Sequence, residues 1–182
     1  MFTHDRSHSL APMVLTALMA LEEAAHAGQP ESPKLGHPAS PQEIAAWSMN
    51  VFPDGRGLPP GRGTAVEGKN VYDGECASCH GPNGLGGSAD ELAGGQHGLT
   101  SPSPDKTIGT YWPFATTIFD FVRRSMPLHA PGSLSDDQLY AVTAYLLHLN
   151  GIIDEQTEMN ATTLPWVKMP NRDGFVWIDA KP

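Results

Sequence analysis

Cys76 and Cys79 are the only two cysteines of this chain, and His80 directly follows the second, in the run C-A-S-C-H. Three chemistries use cysteines set this closely. A structural zinc site needs four ligands, and neither further cysteines nor an H-x₃₋₅-H pair supplies the rest. A thioredoxin-like redox pair follows a strand in a βαβ pattern, whereas this pair closes a helical segment. A disulfide here would span a tetrapeptide and constrain little of the unfolded chain. The remaining reading is C-x-x-C-H, the attachment site of a covalent haem. The thiols of Cys76 and Cys79 add across the two vinyl groups, the helical turn between them matches the vinyl separation, and the His80 imidazole lies beneath the iron as the proximal ligand. That ring needs its other nitrogen hydrogen-bonded to fix its orientation, and the Pro82 carbonyl is the expected acceptor.

The ligand on the far side of the iron decides between electron transfer and catalysis. The chain offers Met49, Met126, Met159, Met169, His97, His129 and His148. His148 falls near the C-terminal end of a helical pattern, where a cation or a satisfied core histidine is the ordinary role. His97 and His129 lie in loops and are expected to face solvent. Met49, Met159 and Met169 fall in segments expected outside the helical core. Met126 differs: it leaves a helix, precedes Pro127, and sits in the loop between the two later helices. A proline stiffens that loop, so Met126 is expected as the distal ligand, with His129 second.

The elements that must position these groups are helices. Thr64 to Glu75 opens on a capping box of Thr64 and Glu67 and carries Val71 and Tyr72 on its apolar side. Gly68 costs such a helix about 1 kcal/mol against alanine, which predicts close approach by another helix, through Tyr145. Pro113 to Arg124 repeats Phe114, Ile118, Phe121 and Val122 at helical spacing. Its terminal Arg123 and Arg124 lie just before Met126, where either could pair with a haem propionate. Ser135 to Leu149 begins with a second capping box, Ser135 and Gln138, and presents Leu139, Val142, Leu146 and Leu149, flanked by Tyr145, before Gly151 stops it. The glycine-rich loops at 81–87 and 94–95 are expected to lie flat against a macrocycle, with no Cβ in the way. No βαβ or hairpin pattern appears. The expected fold is therefore all-α, three or more helices around one covalently bound haem, with long coil extensions at both ends.

Four segments follow. Residues 1–27 read as a signal peptide, with an apolar run from Leu10 to Leu21 too short to span a bilayer and Ala25-His26-Ala27 as cleavage site. Residues 28–63 form an N-terminal extension whose one helical piece is Ser40 to Trp47; Trp47, Val51 and Phe52 are expected to pack it onto the domain. Residues 64–150 form the haem domain, and 151–182 an extended tail. The 19 glycines and 17 prolines favour this much coil, since both break regular elements. A formal net charge of −9 argues against nucleic acid as a partner. No other segment is apolar and long enough to cross a membrane.

These features together resemble the class I cytochromes c: a helix with Gly68 and Tyr72, the C-A-S-C-H-G run, Met126-Pro127, and the AYLL helix at 144–147. Outside that core the likeness narrows. GHPASPQEIAAW (36–47), DGRGLPPGRGT (54–64), TIGTYWPFATTIFDFVRRSMP (107–127), LSDDQLYAVTAYLLHLNGII (134–153) and KMPNRDGF (168–175) resemble the haem subunit of the sulfane dehydrogenase of thiosulfate oxidation, the SoxD type. The resemblance implies an exported, periplasmic electron-transfer subunit with one haem c, inert as an enzyme by itself. It would accept electrons from a molybdenum-containing sulfane or sulfite dehydrogenase subunit and pass them to a downstream acceptor cytochrome. Some members of that family carry two haem domains, and this chain has a single C-x-x-C-H. The alternative is a general soluble electron carrier, or a haem enzyme of another dehydrogenase system.

Overall fold

The computed structural model describes residues 35–176; the expected signal peptide at 1–27 lies outside them. Helix α1 is Pro41–Trp47, α2 Ala65–Glu75, α3 Ala77–His80, α4 Ala115–Ser125 and α5 Asp136–Leu149. Single 3₁₀ turns occupy Pro82–Gly84 and Leu164–Trp166. Several helices and little sheet make this the class I c-type fold.

Two capping boxes start the main helices where local sequence places them. The Thr64 hydroxyl accepts the Glu67 N–H at 3.4 Å and the Glu67 carboxylate accepts the Thr64 N–H at 2.8 Å. Ser135 and Gln138 do the same for α5, at 3.3 and 2.9 Å. α4 ends at Met126, whose N–H still reaches Val122 O at 3.0 Å while its backbone turns extended. Pro127 disfavours helical geometry in the residue before it, which is why the helix stops there.

The most extensive helix pairing is α2 against α5. Gly68 is buried at the crossing, and a Cβ on it would collide with the Ala141 carbonyl and come within 2.9 Å of Tyr145 Cβ. The expected close approach is thus real, with Ala141 as the nearer neighbour. Tyr72 and Tyr145 meet there with ring centroids 5.3 Å apart. Leu139, Val142 and Leu146 are buried as their spacing predicts, but so are Tyr140, Ala141, Thr143, Ala144 and Leu147. α5 is enclosed on nearly every side.

Part of that enclosure comes from segments expected to lie outside the core. A two-residue antiparallel pair, β1 (Arg62–Gly63) with β2 (Met159–Asn160), joins the chain before α2 to the chain after α5. No hairpin pattern announces it, because the strands are distant in sequence. Met159 and Met169, expected outside the helical core, are buried within it, as is Leu164. The described part of the tail is therefore packed chain rather than an extended appendage. On α4 the buried aromatic is Phe119, against Tyr140 at 4.7 Å, while Phe121 remains 43% exposed. Two residues apart, the rings point to different sides of the helix, Phe119 toward α5 and Phe121 toward Trp112.

The N-terminal strap differs from expectation too. Val51 is buried, its N–H donating to Asp120 Oδ1 at 2.9 Å. Trp47 is 86% exposed and Phe52 carries Arg56 over its ring at 4.5 Å rather than entering the core. Neither aromatic packs α1 onto the domain. Arg124 pairs with the other oxygen of Asp120, on its own helix. Asp120 thus holds the strap through Val51 and engages the Arg124 guanidinium.

Candidate functional site

The residues singled out by type and spacing converge on one cavity of about 500 Å³. Cys76 lines it from the junction of α2 and α3, Cys79 and His80 from α3, Tyr72 from α2, Ile118 and Val122 from α4, and Met126 and Pro127 from the loop beyond. Val142 and Leu146 of α5 complete the apolar floor.

Local geometry explains how α3 presents its groups. Cys76 closes α2, its N–H on Tyr72 O, and its carbonyl accepts the N–H groups of Cys79 and His80 at 3.1 and 3.0 Å. One helical turn therefore sets both sulfurs and the imidazole. The chain then folds back: Gly86 N–H reaches His80 O and Ala89 N–H reaches Cys79 O, both at 2.9 Å. This return lays Asp90 beside the ring, and His80 Nδ1 donates to the Asp90 carbonyl at 2.8 Å, leaving Nε2 for the cavity. The expected acceptor, Pro82, is displaced because its carbonyl receives Leu85 N–H inside the tight turn. Glycines serve that return rather than lying on the cavity. Gly81, at φ +75°, abuts the Gly86 carbonyl, and a Cβ on Gly87 would stand 2.6 Å from Cys79 O. None of the glycines of 81–87 or 94–95 lines the cavity.

Of the seven candidates for the distal position, Met126 and His129 alone line the cavity. Met126 is half-buried; His129 is exposed, with Nε2 3.8 Å from a Glu75 carboxylate oxygen. His97 is held by Asp105 at 3.1 Å in a separate loop, and His148 faces Ile153 O at 3.2 Å. Met49 is 46% exposed, and Met159 and Met169 are core. Neither Arg123 nor Arg124 lines the cavity, and Arg124 is paired with Asp120 on its own helix.

Sequence reasoning missed several wall residues. Leu92 and Ile108 come from the loop between α3 and α4, linked by Ile108 N–H to Leu92 O at 3.1 Å. Trp112 lines the cavity and meets Phe121 at 5.9 Å between centroids. These sit in glycine- and proline-rich chain without periodicity. The one available signal was the presence of large apolar side chains in a loop rich in turn residues.

The cavity fits a haem. Its volume lies within the 300–1,000 Å³ range usual for cofactor pockets. Its walls are mainly apolar, two free thiols and an imidazole with a fixed tautomer stand together, and a thioether also reaches the cavity. Burial pushes the Cys76 thiol up to about 11, with Glu75 adding to the shift, so the unattached thiol is neutral at ordinary pH.

Tyr72 links the helix crossing to this site, its hydroxyl donating to Gly81 O at 2.8 Å. Burial pushes its phenol up to about 12, and that of Tyr140 likewise. The unfolded chain ionises these groups near pH 10. Their contribution to stability is thus full below pH 10 and is lost as pH rises from there to about 12. Urea midpoints should fall across that window, and Tyr72→Phe should flatten the fall. At neutral pH the same variant should cost about 1 kcal/mol through the lost Gly81 bond. A midpoint that is level to pH 12 in the wild-type protein would contradict this.

Comparison with known proteins gives the family. The family model for cytochrome c matches residues 65–150. A thiosulfate dehydrogenase of Stutzerimonas stutzeri (strain A1501) is 35% identical over 92 residues, 48% of this chain and 28% of that protein. The chain thus matches little more than a quarter of that relative's length. A chain in the crystal structure of the sulfane dehydrogenase SoxCD from Paracoccus pantotrophus superposes with a TM-score of 0.75 at 44% identity, covering 80% of this chain and 72% of that one. With the helix crossing, the C-x-x-C-H turn and the haem-sized cavity in place, this chain belongs to the cytochrome c family, as a class I c-type cytochrome related to the Sox system of sulfur oxidation.

Proposed function

We propose that this cytochrome is a periplasmic electron-transfer subunit with one haem c, attached through Cys76 and Cys79, with His80 as proximal and Met126 as distal ligand. It takes electrons from a molybdenum-containing sulfane or sulfite dehydrogenase and passes them to an acceptor cytochrome. The observation that carries this reading is the joint placement of His80, its Nδ1 tied to Asp90 O, and Met126 on one apolar cavity. Haem c supplies a one-electron couple when bound. The chain's own part is to hold the imidazole in one tautomer, bring in a thioether, and exclude water with Leu92, Ile108, Trp112 and the α4 and α5 side chains. A thioether favours the ferrous state and raises the potential, which suits acceptance of electrons and leaves no open position for catalysis. The molybdenum partner is supported by the likeness to SoxCD and by the 168–175 run of the tail. The periplasmic location is supported by the leader-like sequence of residues 1–27. Among the described residues no helix is long and apolar enough to cross a membrane.

A molybdenum centre oxidising sulfur releases two electrons, so the cytochrome discharges twice per cycle or hands on rapidly while bound. Exposed aromatics are favoured anchors for such a contact. Trp47 and Trp166, 86% and 82% exposed, are the best placed to serve without supporting the core. The test is purification of the holo-protein with whatever accompanies it. The pigment should stay with the protein through acid–acetone extraction, molybdenum should co-elute, and Trp47→Ala or Trp166→Ala should weaken that co-elution with haem spectra intact. Freely extracted pigment would sink the attachment; a protein that elutes without molybdenum from its own source would sink the partner.

A further inference from the structure

Asn150 closes α5, and its side-chain amide is fully used. Nδ2 donates to Leu146 O at 2.8 Å and to Leu92 O at 3.1 Å, while Oδ1 accepts the Gly109 N–H at 3.0 Å. A capping side chain ordinarily serves its own helix end. Here two of the three bonds leave the helix for the loop that forms the cavity wall. Leu92 lines the cavity, and its carbonyl also takes the Ile108 N–H. Gly109 permits the approach, since a Cβ there would stand 2.7 Å from Asn150 Oδ1. Two residues before Leu92 is Asp90, whose carbonyl receives His80 Nδ1–H. The Leu92 N–H is in turn tied to Gly84 O at 2.7 Å, within the return that follows α3.

We infer that Asn150 is a positioning residue for His80: by fixing the carbonyl of Leu92 to the end of α5, it holds the Asp90 carbonyl at the imidazole. The inference rests on the reading of His80 as an iron ligand. A hydrogen bond from the far nitrogen raises the basicity of a ligating imidazole. A more basic ligand favours the ferric state, so loosening the Asp90 carbonyl raises the potential.

The test uses the full-length holo-protein with Asn150→Ala and Asn150→Ser, the second keeping one donor should the first fail to fold. Tyr140→Phe is the control; it removes a bond to Pro59 O at 2.8 Å, away from the cavity. Two quantities are read: the reduction potential, and deuterium exchange of the His80 Nδ1 proton by paramagnetic NMR. Asn150→Ala should raise the potential and speed that exchange. Asn150→Ser should fall between it and the wild type. Tyr140→Phe should lose stability and change neither quantity. A potential that stays or falls in the Asn150 variants, while stability drops as in Tyr140→Phe, overturns the inference and leaves Asn150 a helix cap. Absence of an iron-shifted His80 ring in the wild-type protein overturns the ligand reading, and this inference with it.

Discussion

Gly68→Ala should cost the protein its fold, whereas Gly74→Ala, further along the same helix, should leave it intact or firmer. Both glycines lie in α2, where each is unfavourable against alanine by up to about 1 kcal/mol. They differ in what a Cβ would meet. At Gly74 it meets nothing within 4 Å, so alanine restores helix propensity without a clash. At Gly68 it meets the carbonyl of Ala141, which is backbone of α5 and cannot rotate away. Relief would need the two helices to separate, opening the Tyr72–Tyr145 contact and the floor of the cavity. A loss of about 4 kcal/mol or more is expected, a large share of the 5–15 kcal/mol typical of a domain. Because the obstacle is main chain, the double variant Gly68→Ala/Ala141→Gly should not recover it. Urea unfolding followed by circular dichroism checks all three. Wild-type stability in Gly68→Ala would mean that the crossing is looser than these distances allow.

That crossing also marks how far the sequence could be read. Capping boxes and C-x-x-C-H are local rules, each complete within a few residues, and Thr64, Ser135 and the Cys76–His80 turn stand where those rules put them. Gly68 was legible as an anomaly: a costly residue inside a good helix requires a neighbour, although spacing alone pointed to Tyr145 and not to Ala141. What failed was information carried between distant segments. Nothing near Met159 or Met169 states that β2 will pair with Arg62–Gly63 and carry them into the core. Helical spacing put Ile118, Phe121 and Val122 on one side of α4, where they line the cavity, and missed Phe119, which lies round the helix from Phe121 against Tyr140 of α5. The acceptor for His80 was sought just after the motif, but the chain first makes a tight turn that uses the Pro82 carbonyl and brings Asp90 into its place. Trp47 was expected to be buried because exposed tryptophan is unusual. That argument gives the cost of exposure and not the location of the partner surface, so an 86% exposed Trp47 is as compatible with an intermolecular contact as burial would have been with an intramolecular one.

The site itself is assembled from two kinds of chain. α3 is rigid and fixed by its own hydrogen bonds, whereas Met126 arrives from the loop between α4 and α5, half-buried and anchored by one backbone bond to Val122. Met126→Ala should therefore separate ligation from folding. The variant deletes a thioether at the edge of a cavity that the α4 and α5 side chains still define, so it should retain covalent pigment and lose little stability, within about 2 kcal/mol. Its optical and redox properties should change far more. The weak near-red sulfur-to-iron band of the ferric protein should vanish. The potential should fall by on the order of 0.1 V or more, since axial ligands set haem potentials over a span of about 0.8 V and a thioether is the ligand that raises them. Exogenous imidazole should then bind readily, because the position it needs is open. His129 supplies the competing outcome, for it lines the same cavity beside Glu75. If it takes over in the variant, imidazole binding stays weak and a bis-histidine spectrum appears; Met126→Ala/His129→Ala then restores imidazole binding. Survival of the near-red band in Met126→Ala would remove Met126 from the iron altogether. Among the described residues the sulfur would then have to come from Met49, 46% exposed and away from the cavity, or from Met159 or Met169, which are held in the core, and any of these would require a rearrangement of the strap or the tail.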